Sequence, residues 1–310
     1  PGLASGATCR VKTNGIVKAN ANAGTNTSDD FARSLQIYLE TNAIYEWNTT
    51  STFSSTGLTY FPNALANEYA IFRVSQTTGF PIGGGSPTTF NGKFEANAAL
   101  TFQNAGVKIF RNGILGTGNI NQLAGSAQFQ ITGIAELGGS GSITLNGGGL
   151  LISSSSSTTL VSNKTVDLGT FTTDGILFTG STTSYIISGT TTFSLSAAAS
   201  LHLGSASGIT TAPTASGNIQ TTVRTFNAGA NYYYYGTVNQ VTGNALPLTL
   251  TAILEINNNG VVANNAVTLT NNITTVPTFN LRRGLFSAGT AQQLNITSGG
   301  TVNGLSLIHI

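Results

Sequence analysis

The stretch Lys93–Asn112 reads KFEANAALTFQNAGVKIFRN and contains three short units of one kind. In each unit, a few β-forming residues at alternating positions are followed by a Gly, Ser or Asn turn. The unit recurs as IAELGG (Ile134–Gly139), SITLNG (Ser142–Gly147), TVDLG (Thr165–Gly169), ILFTG (Ile176–Gly180), SYIISG (Ser184–Gly189), TFSLS (Thr192–Ser196) and SLHLG (Ser200–Gly204). Units start about every seven to nine residues, so three strands make a coil of about 22 residues, which predicts a right-handed parallel β-helix.

A longer echo supports this coil length. Leu100–Phe102, Ile143–Leu145 and Tyr185–Ile187 resemble one another at intervals of about 42 residues, close to two coils. Alternation along each strand then assigns a core in which equivalent residues of successive coils stack in columns. The predicted core residues are Phe94, Leu100, Phe102, Ile109, Ile134, Ile143, Leu145, Ile152, Val166, Leu168, Ile176, Phe178, Ile186, Phe193, Leu195, Leu201 and Leu203.

Charge is scarce in this chain. Asp, Glu, Lys and Arg make up 7% of the 310 residues, where an ordinary soluble domain has about 25%, while hydrophobic residues make up 40%. Disorder driven by charge repulsion is therefore excluded, because it requires low hydrophobicity and high net charge. The net charge of +2 rests on few groups, and only Arg282 and Arg283 put two cations together, so no nucleic-acid surface is predicted.

A parallel stack of coils explains this composition. Equivalent residues of neighbouring coils lie about 4.8 Å apart, where a column of like charges would repel and columns of hydroxyls or amides would not. Asn at a corner tolerates the left-handed backbone conformation and can hydrogen-bond the neighbouring coil. We expect this role for the Asn-rich turns at Asn257–Gly260, Asn264-Asn265 and Asn271-Asn272.

The cysteine count and the hydropathy of the sequence exclude further classes of protein. Cys9 is the single cysteine, which excludes an intrachain disulfide and a cysteine-based zinc site. No run of about 18 apolar residues is present that would predict a membrane span. The chain has no Met and no signal-type start, so we interpret it as an internal piece of a longer protein.

Breaks in texture predict four regions. Residues 1–87 form a β-rich entry or cap region that ends in a Gly/Pro hinge at Phe80–Pro87, and residues 88–209 form the β-helix coils. Beyond the break at Thr210–Gly217, residues 210–304 form further solenoid repeats, and Leu305–Ile310 (LSLIHI) is interpreted as a possible non-native tail. Because Gly299–Ile310 contains no polar cap, the fragment is expected to self-associate through an open solenoid end.

Several segments resemble a known group of proteins. These are RTFNAGANYYYYGTVNQVTGNALP (Arg224–Pro247), LEINNNGVVANNAVTLT (Leu254–Thr270), SLQIYLETNAIYEWN (Ser34–Asn48) and LFSAGTAQQLNITSGGTVNG (Leu285–Gly304). Their texture is similar to that of large secreted surface proteins of the Bacteroidota, which chain Thr/Asn/Gly-rich β-solenoid repeats and use type IX secretion. The resemblance implies a β-solenoid at the cell surface or outside the cell. It carries over no catalytic residues, and the sorting domain usual in such proteins is not visible here.

Aromatic residues supply the candidate carbohydrate-binding positions. A strand over Tyr232–Tyr235 sends two rings inward and two outward, so Tyr233 and Tyr235 could stack on sugar rings. Trp47 and Tyr45 lie two residues apart on one face and offer a second aromatic patch. The alternative for each group is packing in the core or at an edge, and both interpretations stay open at the sequence level.

Catalytic and metal chemistry have weaker support. A polysaccharide lyase or hydrolase would need at least three of its acid, base and cation side chains in one cleft. The candidates for these side chains are Asp167, Asp174, Lys164, Glu136 and Arg111. The alternative interpretation of the aspartates is turn formation. His202 should point outward between two core leucines without a metal partner, and Arg73, Arg111 and Arg224 are interpreted as surface or loop-pinning residues. No metal or cofactor site is predicted.

Three functions follow from these patterns. The first is a non-enzymatic extracellular structural or adhesin-like scaffold, secreted or at the cell surface, whose partners are extracellular glycans or other surface proteins. The second is the polysaccharide lyase or hydrolase. The third is an ice-binding solenoid, suggested by Thr158-Thr159, Thr182-Thr183 and Thr190–Thr192, although these segments are expected to lie mostly in turns.

Overall fold

The computed structural model describes residues 8–19, 36–48, 60–61, 70–76, 88–102, 106–123, 128–182, 184–214 and 216–304. Over these ranges the chain is an all-β solenoid of about 10 turns without helix, which confirms the predicted β-helix. Accordingly, no helix long and apolar enough to cross a membrane occurs within them. The predicted hinge at Phe80–Pro87 and the predicted tail at Leu305–Ile310 lie outside the described residues.

The strands are short, as the repeat predicts. The first sixteen are β1 (Thr8–Val11), β2 (Ile16–Ala19), β3 (Gln36–Leu39), β4 (Ile44–Asn48), β5 (Tyr60–Phe61), β6 (Ile71–Gln76), β7 (Thr88–Phe90), β8 (Lys93–Ala96), β9 (Leu100–Phe102), β10 (Lys108–Phe110), β11 (Gly113–Leu115), β12 (Ile120–Gln122), β13 (Phe129–Ile131), β14 (Ile134–Leu137), β15 (Ile143–Thr144) and β16 (Gly149–Ile152). The others are β17 (Ser157–Leu160), β18 (Lys164–Asp167), β19 (Thr170–Thr173), β20 (Ile176–Phe178), β21 (Ile187–Leu195), β22 (Ser200–Leu203), β23 (Ile219–Phe226), β24 (Asn231–Tyr234), β25 (Gln240–Val241), β26 (Ile253–Asn257), β27 (Ala266–Thr268), β28 (Ile273–Arg283), β29 (Leu285–Ser287) and β30 (Leu294–Gly304).

The chain forms two compact units. Unit 1 comprises Pro1–Leu151 and Thr165–Thr170, and unit 2 comprises Ile152–Lys164 and Phe171–Ile310. In unit 1, strands of successive coils pair in three long rows, β2-β4-β6-β8-β11-β14, β5-β7-β10-β13-β16 and β9-β12-β15-β18, and β1 pairs with β3 in a separate sheet. In unit 2 the longest row is β17-β20-β22-β24-β26-β28-β30, and shorter rows are β19-β21-β23 and β25-β27-β29. Three strands per coil are therefore confirmed in unit 1.

Stacked aromatic rings fill much of the core of unit 1. Tyr45 stacks on Phe72 with ring centroids 5.7 Å apart, and Phe90 stacks on Phe110 at 5.0 Å with an interplanar angle of 6°. Phe94 contacts both Phe72 and Phe90. Columns of rings arise because parallel strands in register place equivalent inward residues one above another, and each buried ring contributes a large apolar area.

The predicted core is right in most positions and shifted by one residue in others. The buried positions are Phe94, Leu100, Phe102, Ile143, Leu145, Ile152, Val166, Phe193, Leu195, Leu201 and Leu203. The positions that do not belong to the buried core are Ile109, Ile134, Leu168, Ile176, Phe178 and Ile186. At all of these positions except Leu168 an adjacent residue faces inward instead, as Leu177 and Ile187 do, and Ile134 is 81% exposed. Leu168 follows β18 in a turn with φ of 58°. A one-residue change of phase exchanges the two faces of a strand.

Asn side chains join neighbouring coils at the corners, as predicted from their turn positions. Asn271 donates to the carbonyl oxygen of Asn244 at 3.1 Å. The side-chain oxygen of Asn272 accepts a hydrogen bond from the Gln293 backbone N–H at 2.8 Å, and Asn119 accepts one from Ser142 at 3.0 Å. These bonds satisfy backbone groups that a corner removes from the strand ladders.

Four charged residues in one row of unit 1 alternate in sign. Lys18, Glu46, Arg73 and Glu95 are register partners in successive strands of one row. Lys18 lies 3.1 Å from Glu46, and Arg73 lies 2.7 Å from Glu95. The column thus places opposite charges at the spacing where like charges would repel.

Arg224 fixes the break at Thr210–Gly217. Its guanidinium donates to the carbonyl oxygens of Thr210 at 3.1 Å and Thr214 at 2.8 Å, and to that of Thr221 at 3.1 Å. The loop-pinning role predicted for Arg224 is therefore confirmed. Side chains of this kind hold a segment whose backbone carbonyls have no strand partner.

Candidate functional site

The longest row of unit 2 carries aligned side chains on its outer face. Leu177 of β20 and Leu201 of β22 are fully buried, so the following residues, Phe178 and His202, point away from the core. The parallel register repeats this arrangement in the later coils. The resulting outward column consists of Phe178, His202, Tyr233, Glu255, Asn280 and Asn303.

Three rings of this column, Phe178, His202 and Tyr233, form an aromatic ladder together with the ring of Tyr235, which follows the last residue of β24. The His202 ring lies between Phe178, at 4.1 Å between centroids, and Tyr233, at 4.2 Å with an interplanar angle of 4°. Tyr235 stands across the stack, at 90° to His202 and 72° to Phe178. The predicted outward direction of Tyr233 and Tyr235 is confirmed, since Tyr232 and Tyr234 are fully buried.

The ladder is uncharged near neutral pH. Burial lowers the pKa of His202 to about 4, so its imidazole is neutral. Burial also raises the pKa of Tyr235 to about 12, although its oxygen accepts a hydrogen bond from the Gly180 backbone N–H at 2.9 Å. For Tyr233, burial and then the carboxylate of Glu255 raise the pKa. His202 thus points outward as predicted, but the neighbouring rings cover it.

The later part of the column is polar. Glu255 is only 6% exposed, and its Oε2 accepts hydrogen bonds from Arg282 Nε at 2.8 Å and from Asn280 Nδ2 at 3.1 Å. Asn303 Nδ2 donates in turn to Asn280 Oδ1 at 3.0 Å. A groove of about 890 Å³, here called the C-terminal groove, lies at this part of the row and is lined by Ile253, Asn257, Asn259, Thr278, Asn280, Leu281, Arg282, Arg283, Asn303 and Gly304.

The second aromatic patch predicted from the sequence is not a surface. Tyr45 and Trp47 in β4 are both fully buried. They face inward because the parallel register places Tyr45 beside Phe72 and Trp47 beside Val74, both core residues. The alternative interpretation of Trp47 as a core residue is confirmed, and neither ring offers a face to a sugar.

The predicted catalytic side chains are dispersed. Lys164 and Asp167 lie in the same strand, but Lys164 is on the buried side with Val166, and Asp167 is on the other side. Glu136, in another row of unit 1, pairs with Lys93 at 2.8 Å.

Asp174 follows β19 and accepts a hydrogen bond from Ser196, as expected for a turn residue, and Arg111 is exposed in a turn. Within the described ranges, no three His, Cys, Asp or Glu side chains are placed to hold a metal ion.

The threonine segments do not form a flat exposed face. Thr158 in β17 and Thr191 in β21 are fully buried, and their strands belong to different rows. The expectation that these segments lie mostly in turns is wrong for Thr158-Thr159 and Thr190–Thr192, because both lie in strands. Thr183 lies outside the described residues.

Sequence reasoning missed most of the outward column. The alternation along the strands predicts Phe178 to be a core residue, and no sequence pattern predicts a role for Glu255, Asn280 or Asn303. The one available signal was the adjacent pair Arg282-Arg283, which now lines the C-terminal groove. The column becomes visible only through the pairing of strands from different coils.

Comparisons with known proteins add no relative to this description. No protein-family model matches the chain, and no match is found among curated proteins or solved structures.

Proposed function

We propose that this protein is a non-enzymatic scaffold whose solenoid binds carbohydrate through the aromatic ladder. The observation that carries the proposal is the group of four contacting rings on the outer side of the longest row of unit 2. The C–H groups of a sugar carry partial positive charge and are attracted to the negative face of an aromatic ring. Repeated coils would then add weak contacts along a polymer.

Within the ladder, Tyr235 is the best stacking residue. One face of Tyr233 is covered by His202, and its register neighbour on the other side is Glu255. Tyr235 is perpendicular to His202, so the rings of the ladder cover at most one of its faces. The hydrogen bond from Gly180 holds its hydroxyl and fixes the ring.

Replacing Tyr235 by Ala is expected to weaken binding of neutral polysaccharides such as xylan and β-glucan about tenfold. The Tyr235→Phe variant keeps the ring and should stay within about twofold of the original affinity. Affinity gel electrophoresis with immobilised polysaccharide measures both effects. Tyr185→Ala removes a partly exposed ring outside the ladder and is the matched control. Equal affinities of the Tyr235→Ala variant and the unchanged protein would refute the assignment of Tyr235.

We expect no turnover of these polymers. Incubation with pectin, alginate, xylan and chitosan should release no unsaturated or reducing ends above the blank. The alternative function, a lyase or hydrolase, requires acid, base and cation groups that converge on the substrate. Product that appears with the unchanged protein and disappears with Asp167→Ala would establish that alternative and refute the scaffold proposal.

The proposal extends to location and relatives. The Thr/Asn/Gly-rich texture and the solenoid support a secreted or cell-surface protein of the kind that Bacteroidota export by type IX secretion. Extracellular glycans or other surface proteins would be its partners. The test is the full-length reading frame, which should encode an export signal and a C-terminal sorting domain, and a reading frame without either would count against this location.

A further inference from the structure

The C-terminal groove presents positive charge and N–H donors. Arg283 donates from Nη1 to Asn259 Oδ1 at 2.8 Å, and Arg282 donates from Nε to Glu255 at 2.8 Å. A guanidinium has five N–H groups, so each of these arginines keeps most of its donors for another partner. Arg282 has a side chain that is 65% exposed, which leaves those donors accessible.

The carboxylate near this groove is already satisfied. Glu255 is not among the lining residues, and it accepts hydrogen bonds from Arg282 and Asn280. Its charge is therefore compensated, whereas the partner of the Arg283 side chain within the described ranges is the neutral amide of Asn259. Among the described residues that line the groove there is no Asp or Glu. The local field thus favours an anion.

Hydrogen bonds between side chains orient the amides of Asn280 and Asn303 at the groove. Asn303 donates to Asn280, and Asn280 donates to Glu255, so all three side chains are oriented along the outward column. The Asn303 side-chain oxygen remains as an acceptor at the β30 end of this chain of hydrogen bonds. A groove that offers guanidinium donors beside amide acceptors matches a molecule that carries both acid groups and hydroxyls.

We infer that the C-terminal groove binds the acid groups of an anionic polysaccharide, with Arg283 and Arg282 on the carboxylate or sulfate and the Asn side chains on neighbouring hydroxyls. Its volume of about 890 Å³ lies within the range of ligand pockets. The inference rests on the proposed carbohydrate binding. The two sites share one row, because Tyr233 is the register neighbour of Glu255 and Glu255 that of Asn280.

The test compares one polymer in two charge states. Polygalacturonate should bind at least about tenfold more tightly than its fully methyl-esterified form at low salt, and the preference should shrink in 0.5 M NaCl. Arg283→Gln should reduce the preference to about twofold or less, while Arg111→Gln, which removes an exposed arginine of unit 1, should leave it unchanged. Arg282→Gln provides a second variant. Because it removes the ion pair with Glu255, urea unfolding checks that the variant keeps its stability.

Each outcome separates the two proposals. If both forms of the polymer bind equally to the unchanged protein, the groove inference is overturned and carbohydrate binding by the ladder survives. If neither form binds, the groove inference is overturned, and the ladder is judged by its binding of xylan and β-glucan. A preference that persists in both arginine variants also overturns the groove. Heparin in place of polygalacturonate distinguishes sulfate from carboxylate, and tighter binding of single-stranded DNA than of either glycan would reassign the groove to nucleic acid.

Discussion

Replacing Gly113 by Ala is expected to lower the free energy of unfolding by more than about 4 kcal/mol. Gly113 has φ of 106°, and it is the register partner of Glu136 in the next coil. A Cβ at this position would lie 1.7 Å from the Glu136 carbonyl oxygen and 2.5 Å from its nitrogen. Both atoms belong to the strand that pairs with β11, so relief requires the two coils to separate.

Gly147→Ala is the matched control for this effect. Gly147 also has positive φ, at 87°, but a Cβ there would meet nothing within 4 Å. The control therefore measures the cost of the left-handed backbone alone, about 1–2 kcal/mol. Urea unfolding followed by circular dichroism gives both values. Equal losses in the two variants would mean that close contact between coils is not what requires glycine at position 113.

The repeat and the role of Asn at the corners of the coils could be predicted from the sequence. The spacing of the repeated units depends on the number of residues in one coil, and this number can be counted in the sequence. Asn at corners follows from two local properties, tolerance of positive φ and an amide that reaches the next coil. Both are visible without knowing which strands pair, as Asn271 and Asn272 illustrate.

The phase of single strands was less predictable. β10 contains only Lys108, Ile109 and Phe110, and hydrophobicity favoured Ile109 as the core residue. The structure buries Lys108 and Phe110 instead. A strand of three residues gives too few alternations to fix its phase, and a large ring at one position can outweigh the cost of burying a lysine stem beside it. The same ambiguity explains Phe178, which became a surface residue.

The candidate site was largely hidden for a different reason. Tyr233 and Tyr235 were identified because a run of four tyrosines must show two rings on each face of a strand. Their neighbours His202 and Glu255 come from other coils. Because coil length varies along unit 2, the register between these residues is set by three-dimensional pairing and cannot be counted off the sequence.

Replacing Lys164 by Met is expected to stabilise the protein at pH 7 by up to about 3 kcal/mol. Lys164 is 1% exposed, and burial lowers its pKa from the ordinary 10.5 to about 8. Below pH 8 the ammonium is charged in the folded and the unfolded protein, and the lowered pKa means that the folded protein disfavours this charged form. Met keeps most of the aliphatic stem and removes the charge.

This gain should vanish as the pH rises. Between about pH 8 and pH 10.5, folded Lys164 is neutral while the unfolded chain still binds the proton, so the stability of the unchanged protein increases with pH. The Lys164→Met variant lacks this increase, and the two unfolding free energies should converge near pH 10.5. Tyrosines with raised pKa, such as Tyr232, destabilise both proteins alike above pH 10, so the difference between the variants is the quantity to measure. Arg111→Gln, at an exposed position outside the ion pairs of the described residues, controls for the loss of one positive charge. If Lys164→Met is less stable at every pH, the contacts of the ammonium outweigh its desolvation, and the inward lysine is a stabilising part of the core.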